Sequence, residues 1–223
     1  MNLVLCKRLG SLCIVLILLA SSAPAQDTKL LHAVDDHYNH LRTLRARYTE
    51  RYAGMGLDRT ESGTLELRKP GLMRWSYDAP AGKVFVLDGH FAWFYTPGDA
   101  QVTRAPARQL DDLRTPLRLL LGHTQLAKEL DQIVIAPTPG DASGNPATFT
   151  ITGLPKAMAD RVRLLTLVVS ADGAIQSMKI EETTGAITTF TFTDQQENLP
   201  LPASDFTFTP PPGVPIINAP PPI

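Results

Sequence analysis

The chain has 223 residues, with 21 Lys and Arg against 22 Asp and Glu, a formal net charge of −1. That balance, with no basic stripe interleaved with aromatics, argues against a nucleic-acid partner. The two cysteines, Cys6 and Cys13, both lie in the first stretch of the chain, so disulfide or cysteine-metal chemistry is excluded for whatever remains once that stretch is removed.

Its removal is expected. Lys7 and Arg8 precede an apolar run from Leu9 to Ala20, and Ala23-Pro24-Ala25 supplies a small-x-small cleavage pattern, which predicts a signal peptide over residues 1–25. The run falls short of the ~20 apolar residues needed to span a bilayer. Cys13 follows Leu12 inside the run, which argues against a lipidated N-terminus. Losing Lys7 and Arg8 leaves 19 basic residues against 22 acidic ones, a charge near −3 on a mature chain of 198 residues. A length of that order suits a single domain, placed over 26–223 with a Pro-rich tail at 210–223.

The first element is a helix. Leu30, Val34, Tyr38, Leu41 and Leu44 recur at helical spacing, with Asp35, Asp36, Asn39 and Arg42 largely off the stripe. A strand is expected from Ala46 to Ala53, turning through Gly54-Met55-Gly56-Leu57-Asp58. That Gly-x-Gly lacks the third glycine of a dinucleotide site and reads as a turn.

Residues 63–101 carry the strongest pattern. Leu65 and Leu67 share a face, as do Met73, Trp75 and Tyr77, then Phe85 and Leu87 against Val84 and Val86, then Phe91, Trp93 and Tyr95. Lys69-Pro70-Gly71, Asp78 to Gly82, Asp88-Gly89 and Thr96 to Asp99 are turns between them. Several of these strands are apolar on both faces, more than two helices would cover.

Between Leu110 and Leu130 the period becomes helical. Leu113, Leu117, Leu120 and Leu121 form one face, with Thr115-Pro116 at its start and Gly122 as its stop, and a second short helix is expected over 124–130. Strands are predicted again at 132–136, 147–152, 163–170, 175–182 and 186–193, with turns at Asp172-Gly173 and Thr184-Gly185. Beyond Phe208 the prolines predict an extended, poorly folded end. The fold class that results is mainly β with α: a strongly curved antiparallel sheet with helices on one face.

Catalytic chemistry finds little support. His37 and His40 sit three apart beside Asp36, but a third metal ligand is not evident, and Gly-x-Ser-x-Gly, His-Glu-x-x-His and a cysteine nucleophile are missing. Asp35-Asp36, Asp111-Asp112 and Glu181-Glu182 are adjacent pairs whose side chains diverge. No catalytic residue, metal or cofactor is expected.

The run Leu65 to Trp75 ending in Arg68-Lys69-Pro70-Gly71-Leu72-Met73-Arg74-Trp75, then Asp88-Gly89, Trp93-Phe94-Tyr95-Thr96-Pro97, Gln101-Val102, Thr115-Pro116-Leu117 to Leu120 and Phe206-Thr207-Phe208-Thr209-Pro210-Pro211, resembles the outer-membrane lipoprotein carrier family of LolA type. The resemblance spans nearly the whole mature chain. It implies an unclosed antiparallel β-barrel with a helical lid over an apolar cavity, and a periplasmic chaperone that carries acylated lipoproteins; apart from the resemblance, a monomer is expected. Its implied partners are an inner-membrane ABC-type lipoprotein-releasing complex and an outer-membrane lipoprotein acceptor.

By matching position the resemblance puts cavity and lid roles on Met73, Trp75, Leu117 and Leu120, and the strand pattern adds Leu87 and Trp93 to the expected lipid-binding cavity. Val34, Tyr38 and Leu41 mark the lid helix. A family arginine that pins the lid is matched by Lys69, with Arg68 one residue earlier, so either is a candidate latch; adjacent strand residues point to opposite faces. Lysine, without a planar fork, makes the looser clamp. Two alternatives stay open: a lipid- or lipoprotein-sensing regulatory protein of the same fold, and a carrier of another acylated lipid or a glycolipid.

Overall fold

The computed structural model describes residues 23–108, 118–122, 125–138 and 148–219. Helix α1 spans Ala23–His40, so the expected cleavage point after Ala25 falls within its first turn. Strands β1 (Thr43–Gly54), β2 (Leu57–Arg68), β3 (Leu72–Tyr77), β4 (Val84–Asp88), β5 (Phe91–Tyr95) and β6 (Val102–Pro106) follow. Two one-turn helices, α2 (Arg118–Leu121) and α3 (Leu126–Glu129), precede β7 (Leu130–Pro137), β8 (Thr148–Pro155), β9 (Val162–Ser170), β10 (Ile175–Glu182), β11 (Ile187–Glu197) and β12 (Ile216–Asn218). Among the described residues no helix is long and apolar enough to cross a membrane.

All twelve strands form one sheet in the order β12-β6-β5-β4-β3-β2-β1-β11-β10-β9-β8-β7, with β7 and β12 at its two edges. It is an open, curled sheet, antiparallel except where β12 pairs with β6. Its centre is the β1–β2 hairpin, whose Gly54 faces Leu57 across a two-residue turn. Met55 and Gly56 have φ of 52° and 78°, the left-handed pair that matches the twist of flanking strands.

Alternation along β1 decides which face is covered. Leu44, Ala46 and Tyr48 point inward and are buried, while Arg45, Arg47 and Arg51 point outward, where their guanidinium groups reach Glu66 at 2.8 Å, Asp78 at 2.5 Å and Asp58 at 2.7 Å. Helix α1 ends at His40, so Leu44 belongs to the strand and not, as the stripe predicts, to the helix. Leu44 fits the helical stripe and also the strand alternation with Ala46 and Tyr48, and its pairing with Leu67 settles the matter.

The C-terminal segment also departs from expectation. Residues 199–219 run back across the outer face: Arg68 Nη1 donates to the Leu201 carbonyl at 2.6 Å, Arg74 Nη1 to the Asp205 carbonyl at 3.3 Å, and Val102 N to the Pro215 carbonyl at 2.9 Å. The stretch beyond Phe208 thus ends in β12, which pairs Ile216 with Val102 and Asn218 with Arg104. Proline blocks ladder donors at 210–212 and 215, but Ile216, Ile217 and Asn218 have theirs free to close an edge that would otherwise be open. Residues 220–223 lie outside the described part.

Candidate functional site: an apolar inner face under three helices

The inner face begins with aromatic rings. Trp75 on β3 meets Tyr48 on β1 edge-on at 4.5 Å between ring centres, and lies 5.5 Å from Phe190 and 6.4 Å from Phe192 on β11. These rings come from three strands, brought together because Tyr48 faces Gly63 on one side and Phe192 on the other. Gly63 leaves room for the Tyr48 ring: a Cβ there would lie 2.9 Å from that ring and collide with the Ser76 carbonyl. Among the described residues the Trp75 indole N–H finds the Met73 thioether, at 3.0 Å, as expected of a ring in an apolar site.

Around this floor the surface is aliphatic. Leu65, Leu67, Met73, Leu87, Leu165, Leu167, Ile151 and Met178 are buried on the same face. The helices supply its cover: Leu30, Leu31, Val34 and Tyr38 from α1, Leu119 and Leu120 from α2, and Leu126 from α3 belong to the same cluster. Leu41, just past the end of α1, is buried with them.

Polar contacts also hold the helices in place. Lys69 Nζ donates to the Tyr38 carbonyl at the end of α1, and the Lys69 stem runs beside Gly122, where a Cβ would also lie 2.9 Å from that same carbonyl. Gly122 has φ +80°, a conformation glycine adopts without strain. Tyr38 Oη accepts from Ile175 N at 3.1 Å, Asp35 Oδ1 accepts from Leu126 N at 3.0 Å, and His37 Nε2 lies 3.0 Å from Glu197. Burial pushes the Tyr38 hydroxyl well above the usual tyrosine value and pulls the Lys69 ammonium below its usual value. Lys69 thus brings charge partly out of water to reach the helix end, where a cation is favoured by the helix dipole.

The structure brings Met73, Trp75, Leu87, Leu120, Val34, Tyr38 and Leu41 into this one cluster. Leu117 lies outside the described residues. Trp93 does not join them and the expectation for it is corrected: Trp75 pairs with Phe85 and Phe85 with Phe94, while Trp93 pairs with Val86 on the opposite face. There its ring sits 5.7 Å from Phe208, under the Arg104 guanidinium at 5.4 Å, with its N–H on Asp88 Oδ2 at 2.7 Å. Strand β4 is apolar on both sides, so sequence alternation alone leaves the facing of its neighbour undecided. Of the two latch candidates, Lys69 reaches the helix and Arg68 reaches the outer C-terminal segment. Phe190, Phe192 and Tyr48 are floor residues beyond those the sequence pattern singles out, and the alternation Phe190-Thr191-Phe192 is a signal for the first two.

An open, curled antiparallel sheet with short and long helices packed over its apolar, aromatic-floored inner face defines the class of the protein: a curled sheet with a covered apolar face. The sequence model of the family described as outer membrane lipoprotein carrier protein LolA matches residues 39–209. The chain belongs to that family. The outer-membrane lipoprotein carrier protein of Pseudomonas aeruginosa (strain UCBPP-PA14) is 31% identical over 203 residues, 89% of this chain and 92% of that protein. The protein of the same description from Dechloromonas aromatica (strain RCB) is 30% identical over 214 residues, 95% of this chain and 96% of its own. Among solved structures, the lipoprotein LppX of Mycobacterium tuberculosis superposes with a TM-score of 0.53 at 16% identity, covering 82% of this chain and 100% of that one. At that identity the likeness shows a shared fold.

Proposed function

We propose that the protein is a periplasmic chaperone that takes up the acyl chains of lipoproteins released from the inner membrane and delivers them to an acceptor at the outer membrane. Residues 1–25 serve as the signal peptide. The observation that carries the reading is the pairing of one continuous apolar face with helices that cover it. Each buried methylene is worth ~0.8 kcal/mol, so a long acyl chain left in water costs on the order of ten kcal/mol. Met73, Trp75, Leu87 and Leu120 offer that chain a matching surface, and α1 with α2 hides the same surface when no cargo is bound, which prevents aggregation.

Lys69 acts as the latch by its bond to the Tyr38 carbonyl, with Tyr38 Oη as a second pin on Ile175. Loading and release both require open and closed forms separated by only a few kcal/mol, a range to which the Lys69 and Tyr38 bonds contribute ~0.5–1.5 kcal/mol each. The carrier works as a monomer between an ABC-type releasing complex and the outer-membrane acceptor. To test the reading, a photo-crosslinking residue is placed at Leu120, cells secreting the protein are irradiated, and adducts are identified by mass spectrometry. Adducts with several acylated lipoproteins are expected. Adducts with a single membrane protein or a glycolipid, without lipoproteins, would overturn it.

A further inference from the structure

Beyond the aromatic floor, toward the β1–β2 hairpin, the inner face becomes charged. The inward positions after Tyr48 are Glu50 and Tyr52 on β1, and those beyond Gly63 are Glu61 and Arg59 on β2. Glu50 stands directly opposite Glu61, an arrangement of like charges that destabilises a sheet. Glu61 is compensated, by Lys83 Nζ and by Arg59 Nε at 3.4 Å. Glu50 is compensated only at a distance: its neighbour on β11 is Phe190, and among the described residues Arg59 and Lys83, whose ion pairs go to Glu61, are the cations that act on it. Burial first, and the charge of Glu61 second, push its carboxyl above the usual range although Arg59 and Lys83 act in the other direction.

A second unmet group lies one inward step away. Tyr48 is 2% exposed, and its Oη makes no hydrogen bond of ordinary geometry with a described atom, the Tyr77 hydroxyl being the polar group that approaches it. Tyr77 is its near neighbour, at 5.8 Å between ring centres, and the phenol lies within electrostatic reach of Tyr77, Glu50 and Glu61. Burial keeps the phenolic proton in place, so the hydroxyl can both donate and accept. A buried hydroxyl with only a poorly aligned partner costs free energy, as does a half-buried carboxylate, and the two share one strand and one face.

We propose that Glu50 and Tyr48 form a polar subsite at the hairpin end of the apolar face, which receives an N–H-bearing head group attached to the acyl chain, an ammonium above all. The proposal rests on the acyl-carrier reading and adds to it an orientation for the cargo. An anion is disfavoured by the facing carboxylates. A metal ion lacks ligands, because Glu61 is already engaged and the described residues hold no group of three potential ligands. A cation suits the place: it answers Glu50, and the Tyr48 ring adds cation–π attraction, the Tyr77 ring already lying under Lys83 Nζ at 4.2 Å. From Glu50 back to Leu44 is six residues of strand, about 20 Å at ~3.4 Å per residue. A chain anchored at Glu50 therefore runs over Trp75 and Phe190 toward Leu67, Met73 and Leu120 beneath the helices.

Three probes with one palmitoyl chain separate the possibilities: N-palmitoyl-ethylenediamine ends in an ammonium, palmitoyl-ethanolamide in a hydroxyl, and N-palmitoyl-glycine in a carboxylate. Each competes against a fluorescent fatty acid for the secreted protein. The wild type is expected to prefer the ammonium probe over the hydroxyl probe by about tenfold, the ~1.4 kcal/mol of a hydrogen bond to a charged group, with the carboxylate weakest. Glu50→Gln brings the ammonium and hydroxyl probes within about twofold, and Tyr48→Phe reduces the preference by about threefold. Asp58→Asn, on the outer face, keeps it. Thermal melts run alongside establish that each variant is folded. Equal binding of the three probes by the wild type, or a preference that survives Glu50→Gln, overturns the subsite alone. Failure of every probe to bind overturns the acyl-carrier reading, and the subsite with it.

Discussion

Replacing Tyr38 by phenylalanine removes one oxygen atom and leaves the packing of the ring in place. That oxygen accepts from Ile175 N at 3.1 Å, and Ile175 is fully buried. With the helix closed, the variant leaves a buried backbone N–H without its acceptor, at a cost of ~1–3 kcal/mol. When α1 lifts from the sheet, water reaches Ile175 N and the cost vanishes. The substitution therefore penalises the closed form and shifts the lid equilibrium toward opening by about 5- to 150-fold. Two measurements read this. The Ile175 amide should exchange with solvent faster by that factor in native-state hydrogen exchange, and the apparent affinity for a palmitoyl probe should rise, because more of the protein is in the form that binds. A thermal destabilisation of the stated size with unchanged acyl affinity and unchanged exchange at Ile175 would refute the reasoning, since the bond would then support the fold and not the lid.

Lys69→Met removes the donor to the Tyr38 carbonyl at a cost of about 1 kcal/mol, and should raise the fluorescence of a dye that reports exposed apolar surface; no rise would deny Lys69 its latch role. Trp93→Ala should cost ~3–5 kcal/mol in denaturant unfolding, as for a buried tryptophan, yet leave palmitoyl binding to the folded protein unaltered, because the ring lies on the outer face. Loss of binding by the folded variant would contradict that placement. Glu50 keeps its proton in the folded state over a window that starts at its ordinary value of 4.5 and extends upward, where the unfolded chain has released it. Folding therefore loses stability as pH rises through that window. Glu50→Gln removes the loss, so its stability advantage over the wild type should grow between pH 4 and pH 7, and an advantage that shrinks would count against it.

Much of the sheet was legible in the residues. Alternation in Leu65 and Leu67 and in Met73, Trp75 and Tyr77, together with turn chemistry at Asp88-Gly89 and Asp172-Gly173, marks the strands and their boundaries, because a strand exposes its period locally. The stripe of Leu30, Val34 and Tyr38 likewise marks α1. Local pattern fails where a residue obeys two periods or two faces are equally apolar. Leu44 suits a helix and a strand alike, and pairing with Leu67 decides. Trp93 is turned outward by the register that sets Phe85 against Phe94.

The candidate site divides in the same way. Its apolar residues announce themselves by type, but their assembly does not: Tyr48, Trp75 and Phe190 come from strands far apart in sequence, and only the order β3-β2-β1-β11 makes them one floor. Whether Lys69 or Arg68 meets the helix depends on which way the end of β2 faces. Glu50 and Glu61 stand in opposition only because the Met55-Gly56 turn fixes a register that a slip of one residue would undo. The sequence by itself determined which segments are extended, which are helical and that their apolar surface is large. Which side chains meet, and which polar groups are left without partners among them, was decided by tertiary structure, since both depend on strand pairings whose energies are shared across residues distant along the chain.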